Sequence, residues 1–125
     1  MVVTPQDKKL GTPAEDITAR RTSLGIEFGS TRIKASLITR DGSQIASGAH
    51  TWENTVTDGH WSYPLNAIHE GLIAAYADLV ADTQQRYGVA PETFDSIGIS
   101  AMMHGYLAFD EAGELLVPFR TWRDT

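Results

Sequence analysis

A short segment near the start of the chain, LGIEFGSTRIKA, combines residue types that can bind phosphate. It reads as an apolar strand that ends in Glu27, a turn of Gly29, Ser30 and Thr31, and a second strand that carries Lys34. Glycine lets the backbone come close to an anion, and the two hydroxyl residues add O–H and N–H donors at the bend. Glu27 is predicted to hold Mg²⁺ through water, because magnesium prefers oxygen ligands and keeps much of its hydration shell. The hairpin therefore predicts a site for the phosphates of a nucleotide.

This segment is not a Walker loop, because the G-x-x-x-x-G-K-[ST] spacing is absent. Taken alone, it also fits an ordinary hairpin, since glycine–hydroxyl turns are common in hairpins that bind no ligand. Glu27 and Lys34 would then be solvated strand residues. Segments further along the chain favour the phosphate site.

Composition restricts the class of protein. The chain has 125 residues, which is enough for one small domain, and its apolar and charged fractions of 42% and 21% are typical of soluble globular proteins. The net charge of −6 argues against a nucleic-acid partner and against an anionic membrane surface. The chain has no cysteine, which excludes disulfides and thiolate metal sites and agrees with a cytoplasmic location.

Residues 1–22 are predicted to be a flexible leader. They contain proline, glycine and a Lys8-Lys9 pair, without apolar periodicity. Nothing in them resembles a signal peptide, and no apolar run is long enough to span a membrane. The folded part is therefore expected to cover residues 23–125.

Three strands are predicted next, over residues 24–28, 32–39 and 44–52, as an antiparallel meander. Asp41-Gly42 predicts a type I′ turn between the second strand and the third. A polar loop over residues 53–64 follows, with Trp52 and Trp61 expected to pack beneath it.

A helix is predicted over residues 65–87, where apolar residues recur at helical spacing, and Gly88 is expected to end it. Further strands are predicted over residues 96–102, 105–109 and 114–119. This order of elements predicts an α/β fold.

Three segments, in this order, give the chain a family resemblance. GIEFGSTRIK at residues 25–34 is similar to G-x-D-x-G-[ST]-[TS]-x-x-[KR], the first phosphate motif of the actin, sugar-kinase and heat-shock ATPase superfamily. GISAMMHG at residues 98–105 is similar to the xylulokinase-type G-x-S-x-Q-M-H-G, and WRDT at residues 122–125 to W-x-D-T-R. The chain therefore resembles the N-terminal part of the FGGY carbohydrate kinases. This implies a truncated ribonuclease-H-like domain of an enzyme that phosphorylates a small, pentulose-like sugar or polyol with ATP and Mg²⁺.

The resemblance also implies roles for individual residues. Gly29, Ser30 and Thr31 would contact the β- and γ-phosphates of ATP, with Lys34 at the cationic position of the motif. The sugar side of the pocket would be formed by Met103, His104, Trp122 and Asp124. In that pocket His104 would hydrogen-bond a hydroxyl and Trp122 would lie beside the apolar face of the sugar.

Two positions depart from the family motifs. Glu27 stands in place of aspartate, and Met102 stands in place of glutamine. These departures leave the sugar open, with a degenerate ATPase as an alternative. The family's catalytic base is an aspartate far beyond residue 125, so this chain by itself is expected to be inactive. It is also expected to associate, as a homo-oligomer, through exposed sheet.

Two other classes remain open at this point. The ATPase activators of radical dehydratases begin with a similar turn, but they hold an iron–sulfur cluster with cysteines, and this chain has none. The other class is a non-catalytic module that binds a sugar, a nucleotide or a partner without turnover.

Overall fold

The computed structural model describes residues 11–53, 55–57, 59–101 and 108–116, with backbone only at 55, 57, 60 and 61. In chain order, the elements within these residues are α1 (Pro13–Thr18), β1 (Thr22–Phe28), β2 (Arg32–Thr39), β3 (Gln44–Thr51), β4 (Thr55–Thr57), β5 (His60–Ser62), α2 (Leu65–Tyr87) and β6 (Ser96–Ala101).

The main sheet has four strands in the order β3-β2-β1-β6. The first three strands form the predicted antiparallel meander, and β6 pairs with β1 in parallel. The loop predicted between β3 and α2 contains a second small sheet, in which β4 pairs with β5. The fold is therefore α/β, as predicted, with a mixed sheet and one long helix.

The core lies between α2 and one face of the main sheet. Alternate residues of β2 point into it, and Ile33, Ala35 and Leu37 are all fully buried. Ala75 and Leu79 of α2 are buried against them. The apolar residues that alternate along the strand thus pack against apolar residues that lie about one turn apart on α2.

Gly48 of β3 allows α2 to lie directly on the sheet. A Cβ added at Gly48 would lie 2.2 Å from the backbone nitrogen of Leu79 and 2.4 Å from the carbonyl oxygen of Ala75. Gly71 of α2 provides the matching gap, since a Cβ there would lie 2.5 Å from Cδ1 of Ile33. The close approach of helix and sheet therefore depends on glycine in both elements.

Two carboxylates of α2 protect the outer edge of β3. Asp82 accepts a hydrogen bond from the backbone N–H of Ser47 at 3.0 Å, and Asp78 accepts one from that of Ala49 at 2.9 Å. The Ser47 hydrogen bond, and next the contact with Arg86, lower the pKa of Asp82 below its ordinary value. These carboxylates occupy donors that would otherwise be free to pair with another strand.

The leader prediction differs from the structure at α1. Thr12 caps this helix by accepting from the backbone N–H of Glu15 at 3.2 Å, and proline follows at the first helical position. Ile17 is only 1% exposed and belongs to the core, while Asp16 pairs with Arg21 at 2.9 Å. Six residues are too few to show a periodicity, so only the capping signal could have revealed the helix. Residues 1–10 lie outside the described residues.

The β2–β3 hairpin is confirmed, but its turn is not type I′. Gly42 has a φ of 89°, whereas Asp41 has no positive φ. The N–H of Gly42 donates to the carbonyl of Thr39, and the N–H of Thr39 donates to the carbonyl of Ser43, both at 2.9 Å. This pattern is a three-residue turn that ends in a left-handed glycine. The Asp41 carboxylate accepts from the Thr39 hydroxyl and the Ser43 N–H, which lowers its pKa.

The helix over residues 65–87 has the predicted ends, and Gly88 adopts the left-handed conformation with a φ of 74°. The two last predicted strands are represented in the described residues by one bridge between Phe109 and Leu115. Residues 102–107 and 117–125 lie outside the described residues. In the described part of the chain, no helix is both long and apolar enough to cross a membrane.

Within the described residues, the exposed large apolar side chains of the main sheet lie on β6. The face opposite α2 carries mostly small or polar residues on its central strands, among them Gly25, Glu27 and Ser36, with Ile38 of β2 as an apolar residue beside them. Ile97 and Ile99 of β6 lie on the α2 side, yet they are 60% and 70% exposed because α2 packs over β3 and β2. The exposed apolar sheet is therefore one edge strand and not a whole face.

Candidate functional site

The turn between β1 and β2 lies at the edge where two parallel strands end. Phe28 at the end of β1 pairs with Ala101 at the end of β6. In open α/β sheets, ligands bind beyond the carboxyl ends of the parallel strands. Gly29, Ser30 and Thr31 connect the strands at this edge, so the fold places the predicted phosphate turn where a ligand is expected.

Gly29 is required by space within the turn. Its N–H donates to the carbonyl oxygen of Arg32 at 2.9 Å, which closes the turn. A Cβ added at Gly29 would lie 2.9 Å from the same oxygen, closer than real Cβ contacts. Its φ is not positive, so any larger residue would be excluded by this contact and not by backbone conformation.

The carbonyl groups of the turn are held from behind by two aromatic residues. The indole N–H of Trp52 donates to the carbonyl of Gly29 at 2.8 Å, and the backbone N–H of Trp52 donates to that of Thr31 at 3.1 Å. The hydroxyl of Tyr63 donates to the carbonyl of Ser30. The rings of Trp52 and Tyr63 stack with their centroids 4.1 Å apart.

Sequence reasoning placed Trp52 beneath the loop as a packing residue and did not single out Tyr63. Both are buried, at 8% and 1% exposure, so the packing role is correct for Trp52 but is not its whole role. The sequence feature that could have identified these two residues was their position. These residues border the polar loop on each side, at the end of β3 and just before α2.

Ser30 and Thr31 present their side chains to solvent. Neither hydroxyl has a hydrogen-bond partner in the described part of the chain. Exposed hydroxyls beside backbone N–H groups are suited to bind an anion. Phosphate binding by Ser30 and Thr31 stays a prediction.

Glu27 lies beside the turn with its side chain exposed. Its Oε1 is 3.8 Å from the position that a Cβ of Gly29 would take. Lys34 on β2 and Ser100 on β6 are its direct neighbours across the sheet. These residues border an open groove of about 370 Å³ on the face opposite α2, with Gly25, Ser36 and Gly98 along its floor.

One carboxylate beside the turn has the chemistry to help bind a magnesium ion. Within the described ranges, no group of three or more His, Asp or Glu side chains is arranged to hold a metal. Glu27 offers one exposed carboxylate, without an ion pair or hydrogen bond to another described residue. Mg²⁺ in phosphoryl-transfer sites is typically bound by one or two carboxylates, waters and the substrate phosphates. Glu27 therefore fits a magnesium that is bound largely through water.

The sugar-side residues named by the sequence, Met103, His104, Trp122 and Asp124, lie outside the described residues, as does Met102. Their placement stays a prediction. The described chain leaves β6 at Ala101, beside the turn.

The greater part of the chain matches a known protein family. A profile of the N-terminal domain of the FGGY family of carbohydrate kinases matches residues 22–125. No curated protein sequence matches the chain.

Solved structures share the fold. A xyloylose kinase from Brucella ovis aligns with a TM-score of 0.69 and 22% identity, over 83% of this chain and 21% of its own. A xylulose kinase from Rhodospirillum rubrum aligns with a TM-score of 0.67 and 17% identity, over 84% of this chain and 21% of its own. A Plasmodium falciparum glycerol kinase with ADP aligns with a TM-score of 0.63 and 16% identity, over 83% and 21%. The chain thus spans about a fifth of the length of these kinases.

Proposed function

Because the chain belongs to the FGGY family of carbohydrate kinases, we propose that the protein carrying it transfers the γ-phosphoryl group of ATP to a hydroxyl of a small sugar or polyol. The observation that carries this proposal is the turn of Gly29, Ser30 and Thr31, with its carbonyls bonded inward and its hydroxyls exposed. The glycerol kinase that shares the fold was solved with ADP, which supports a nucleotide as the phosphate donor.

In this proposal Ser30 and Thr31 hold the β- and γ-phosphates, and Lys34 supplies positive charge on the same side of the sheet as Glu27. Phosphoryl transfer requires mostly positioning and charge neutralisation, since charge is spread over the oxygens of the transferred group. When bound, Mg²⁺ would neutralise part of that charge, and Glu27 would orient its water shell.

The acceptor is proposed to be a small, pentulose-like sugar or polyol. The xylulose and glycerol kinases with the same fold act on acceptors of this size by their names, which supports the class. Met103, His104, Trp122 and Asp124 are proposed to bind the acceptor. The catalytic base is proposed to be an aspartate outside these 125 residues. A cytoplasmic location accompanies the proposal, since ATP is the donor.

The proposal is tested by assaying the intact protein that carries this chain with ATP, Mg²⁺ and a panel of acceptors: xylulose, ribulose, gluconate and glycerol. We expect ADP release that depends on one acceptor, with a phosphorylated product detected by mass spectrometry. ADP release that is independent of every acceptor would support the alternative ATPase of the same superfamily. Absence of nucleotide binding and turnover would refute the proposal.

A further inference from the structure

We infer that Trp52 and Tyr63 are positioning residues that orient the β1–β2 turn, so that its backbone N–H groups face the terminal phosphates of a nucleoside triphosphate. This inference rests on the proposed function and adds to it two residues and the way in which they act. Neither residue contacts the phosphates itself in this account.

Peptide geometry fixes the direction of the N–H groups in the turn. The described chain has no cis peptide bond, so each peptide unit directs its C=O and the next N–H in opposite directions. The carbonyl of Gly29 points to the indole of Trp52, and that of Ser30 points to the hydroxyl of Tyr63. The N–H groups of Ser30 and Thr31 must therefore point away from the aromatic pair.

The carbonyl of Thr31 is also held by a donor, and its direction fixes the next N–H in the same way. Thr31 accepts from the backbone N–H of Trp52 at 3.1 Å, which turns the N–H of Arg32 away from β3. Three successive carbonyls are thus held on one side of the turn. This leaves the N–H groups of Ser30, Thr31 and Arg32 directed away from those carbonyl partners, where their positive partial charges favour an anion.

The aromatic donors keep the carbonyls of the turn from rotating outward. A carbonyl that rotated outward would place its negative end toward the phosphate and remove one N–H donor. Hydrogen bonds to the carbonyls also polarise the peptide units and strengthen their N–H groups as donors. Trp52 and Tyr63 act on the turn in both ways, although each is separated from it by more than twenty residues of sequence.

The aromatic pair is held in place by its own packing. Trp52 and Tyr63 are buried and stacked, with ring centroids 4.1 Å apart, and Phe28 packs against Trp52 at a centroid distance of 6.5 Å. Close-packed core side chains sit in rotamer minima, so the polar groups of these rings are held in place. A donor fixed on the core side fixes the peptide plane that it bonds.

The test uses two conservative variants of the intact protein that carries this chain. Tyr63→Phe removes the hydroxyl, and Trp52→Phe removes the indole N–H, while both retain an aromatic ring. Tyr87→Phe is the matched control, because it removes a hydrogen bond of the same type, from Tyr87 to the carbonyl of Ile45 at 2.7 Å, at the opposite end of the sheet.

Calorimetry with ATP, pyrophosphate, adenosine and the acceptor sugar that the panel identifies gives the readout. We expect Tyr63→Phe and Trp52→Phe each to weaken ATP and pyrophosphate binding about tenfold, as for a misplaced donor set. Adenosine and sugar affinities should stay unchanged, and Tyr87→Phe should bind all four as the wild type does. A merely structural role would lower the melting temperature and leave the ratio of ATP to adenosine affinity unchanged.

The outcomes separate this inference from the proposed function. If the Phe variants bind ATP normally while Ser30→Ala/Thr31→Ala does not, the inference is overturned and the phosphate site stands. If the wild type binds neither ATP nor pyrophosphate, both are overturned. If Trp52→Phe fails to fold, Tyr63→Phe decides alone, because it removes a single oxygen atom.

Discussion

Glu27 and Lys34 lie directly opposite each other on β1 and β2, but their charged groups form no ion pair. Opposite charges at such cross-strand positions normally attract one another by roughly 0.2–1 kcal/mol. Both groups lie on the groove side of the sheet, next to the β1–β2 turn. The site therefore presents a carboxylate that can contact a cation and an ammonium group that can contact an anion.

This arrangement gives the first prediction. Glu27→Gln in the intact protein should lower kcat by about 10–100-fold, as loss of groups that orient a metal's ligands does. The loss should be partly recovered at high Mg²⁺ concentration, because the carboxylate is proposed to act through the ion. The measurement is a Mg²⁺ titration of the kinase rate. Glu70→Gln, an exposed carboxylate on α2, is the control and should have no effect. Identical Mg²⁺ curves for wild type and Glu27→Gln would contradict the metal role.

The second prediction concerns the contact of helix and sheet. Gly48→Ala should lower the free energy of unfolding by about 1–3 kcal/mol or more, as overpacking does, since its Cβ would meet the backbone of α2 at 2.2 Å. Gly98→Ala is the control, because nothing lies within 4 Å of that Cβ position. Thermal unfolding of the 125-residue chain, followed by circular dichroism, compares the two. Equal melting temperatures would show that α2 does not rest on Gly48.

Much of the fold could be predicted because local signals agreed with the tertiary structure. The ends of α2 followed from its apolar spacing and Gly88, and the meander followed from strand patterns and Asp41-Gly42. The conformation of that turn could not be predicted in the same way. The Asp41 carboxylate bonds Thr39 and Ser43, and these contacts favour a three-residue turn with a single left-handed glycine.

The third prediction is a pH dependence. The pKa of Asp82 lies below its ordinary value, first because of the Ser47 N–H and then because of Arg86. Its stabilising contribution is therefore present above its unfolded value of about 3.8 and is lost as pH falls through the lower folded value. Asp82→Asn should reduce the slope of unfolding free energy against pH below pH 4. Arg86→Gln should reduce this slope less, because Arg86 is the second-largest cause of the lowered pKa of Asp82. Parallel curves for wild type and Asp82→Asn, from denaturant titrations at several pH values, would contradict this.

The fourth prediction concerns association. We expect the 125-residue chain by itself to self-associate through β6, where Ile97 and Ile99 are 60% and 70% exposed on an edge strand. The β3 edge should not take part, since Asp78 and Asp82 occupy its donors. Ile97→Thr/Ile99→Thr should lower the molar mass measured by light scattering.

The control for association is Ile73→Thr, because Ile73 is 67% exposed on α2 and lies away from β6. A chain that is monomeric at every concentration, or one that associates equally in the double variant, would refute the role of β6.

We also expect the chain alone to transfer no phosphate to any sugar.

The candidate site was predictable only in part. The motif could be read without a structure, because its residues fall close together in sequence: Glu27, Gly29, Ser30 and Thr31. Trp52 and Tyr63 carry no such motif, and their hydrogen bonds depend on how β3 and α2 lie against the turn. Contacts of this kind come from tertiary packing, which a linear pattern does not encode.

The central claim is that the turn of Ser30 and Thr31 binds the phosphates of ATP, and calorimetry of the intact protein with ATP tests it most directly. For Ser30→Ala/Thr31→Ala we predict an ATP Kd raised at least about tenfold, as for lost hydrogen bonds to a charged group, with sugar affinity and melting temperature unchanged because both side chains are exposed. Ser43→Ala, in the turn at the other end of β2, is the control. An ATP Kd equal to that of the wild type would contradict the account.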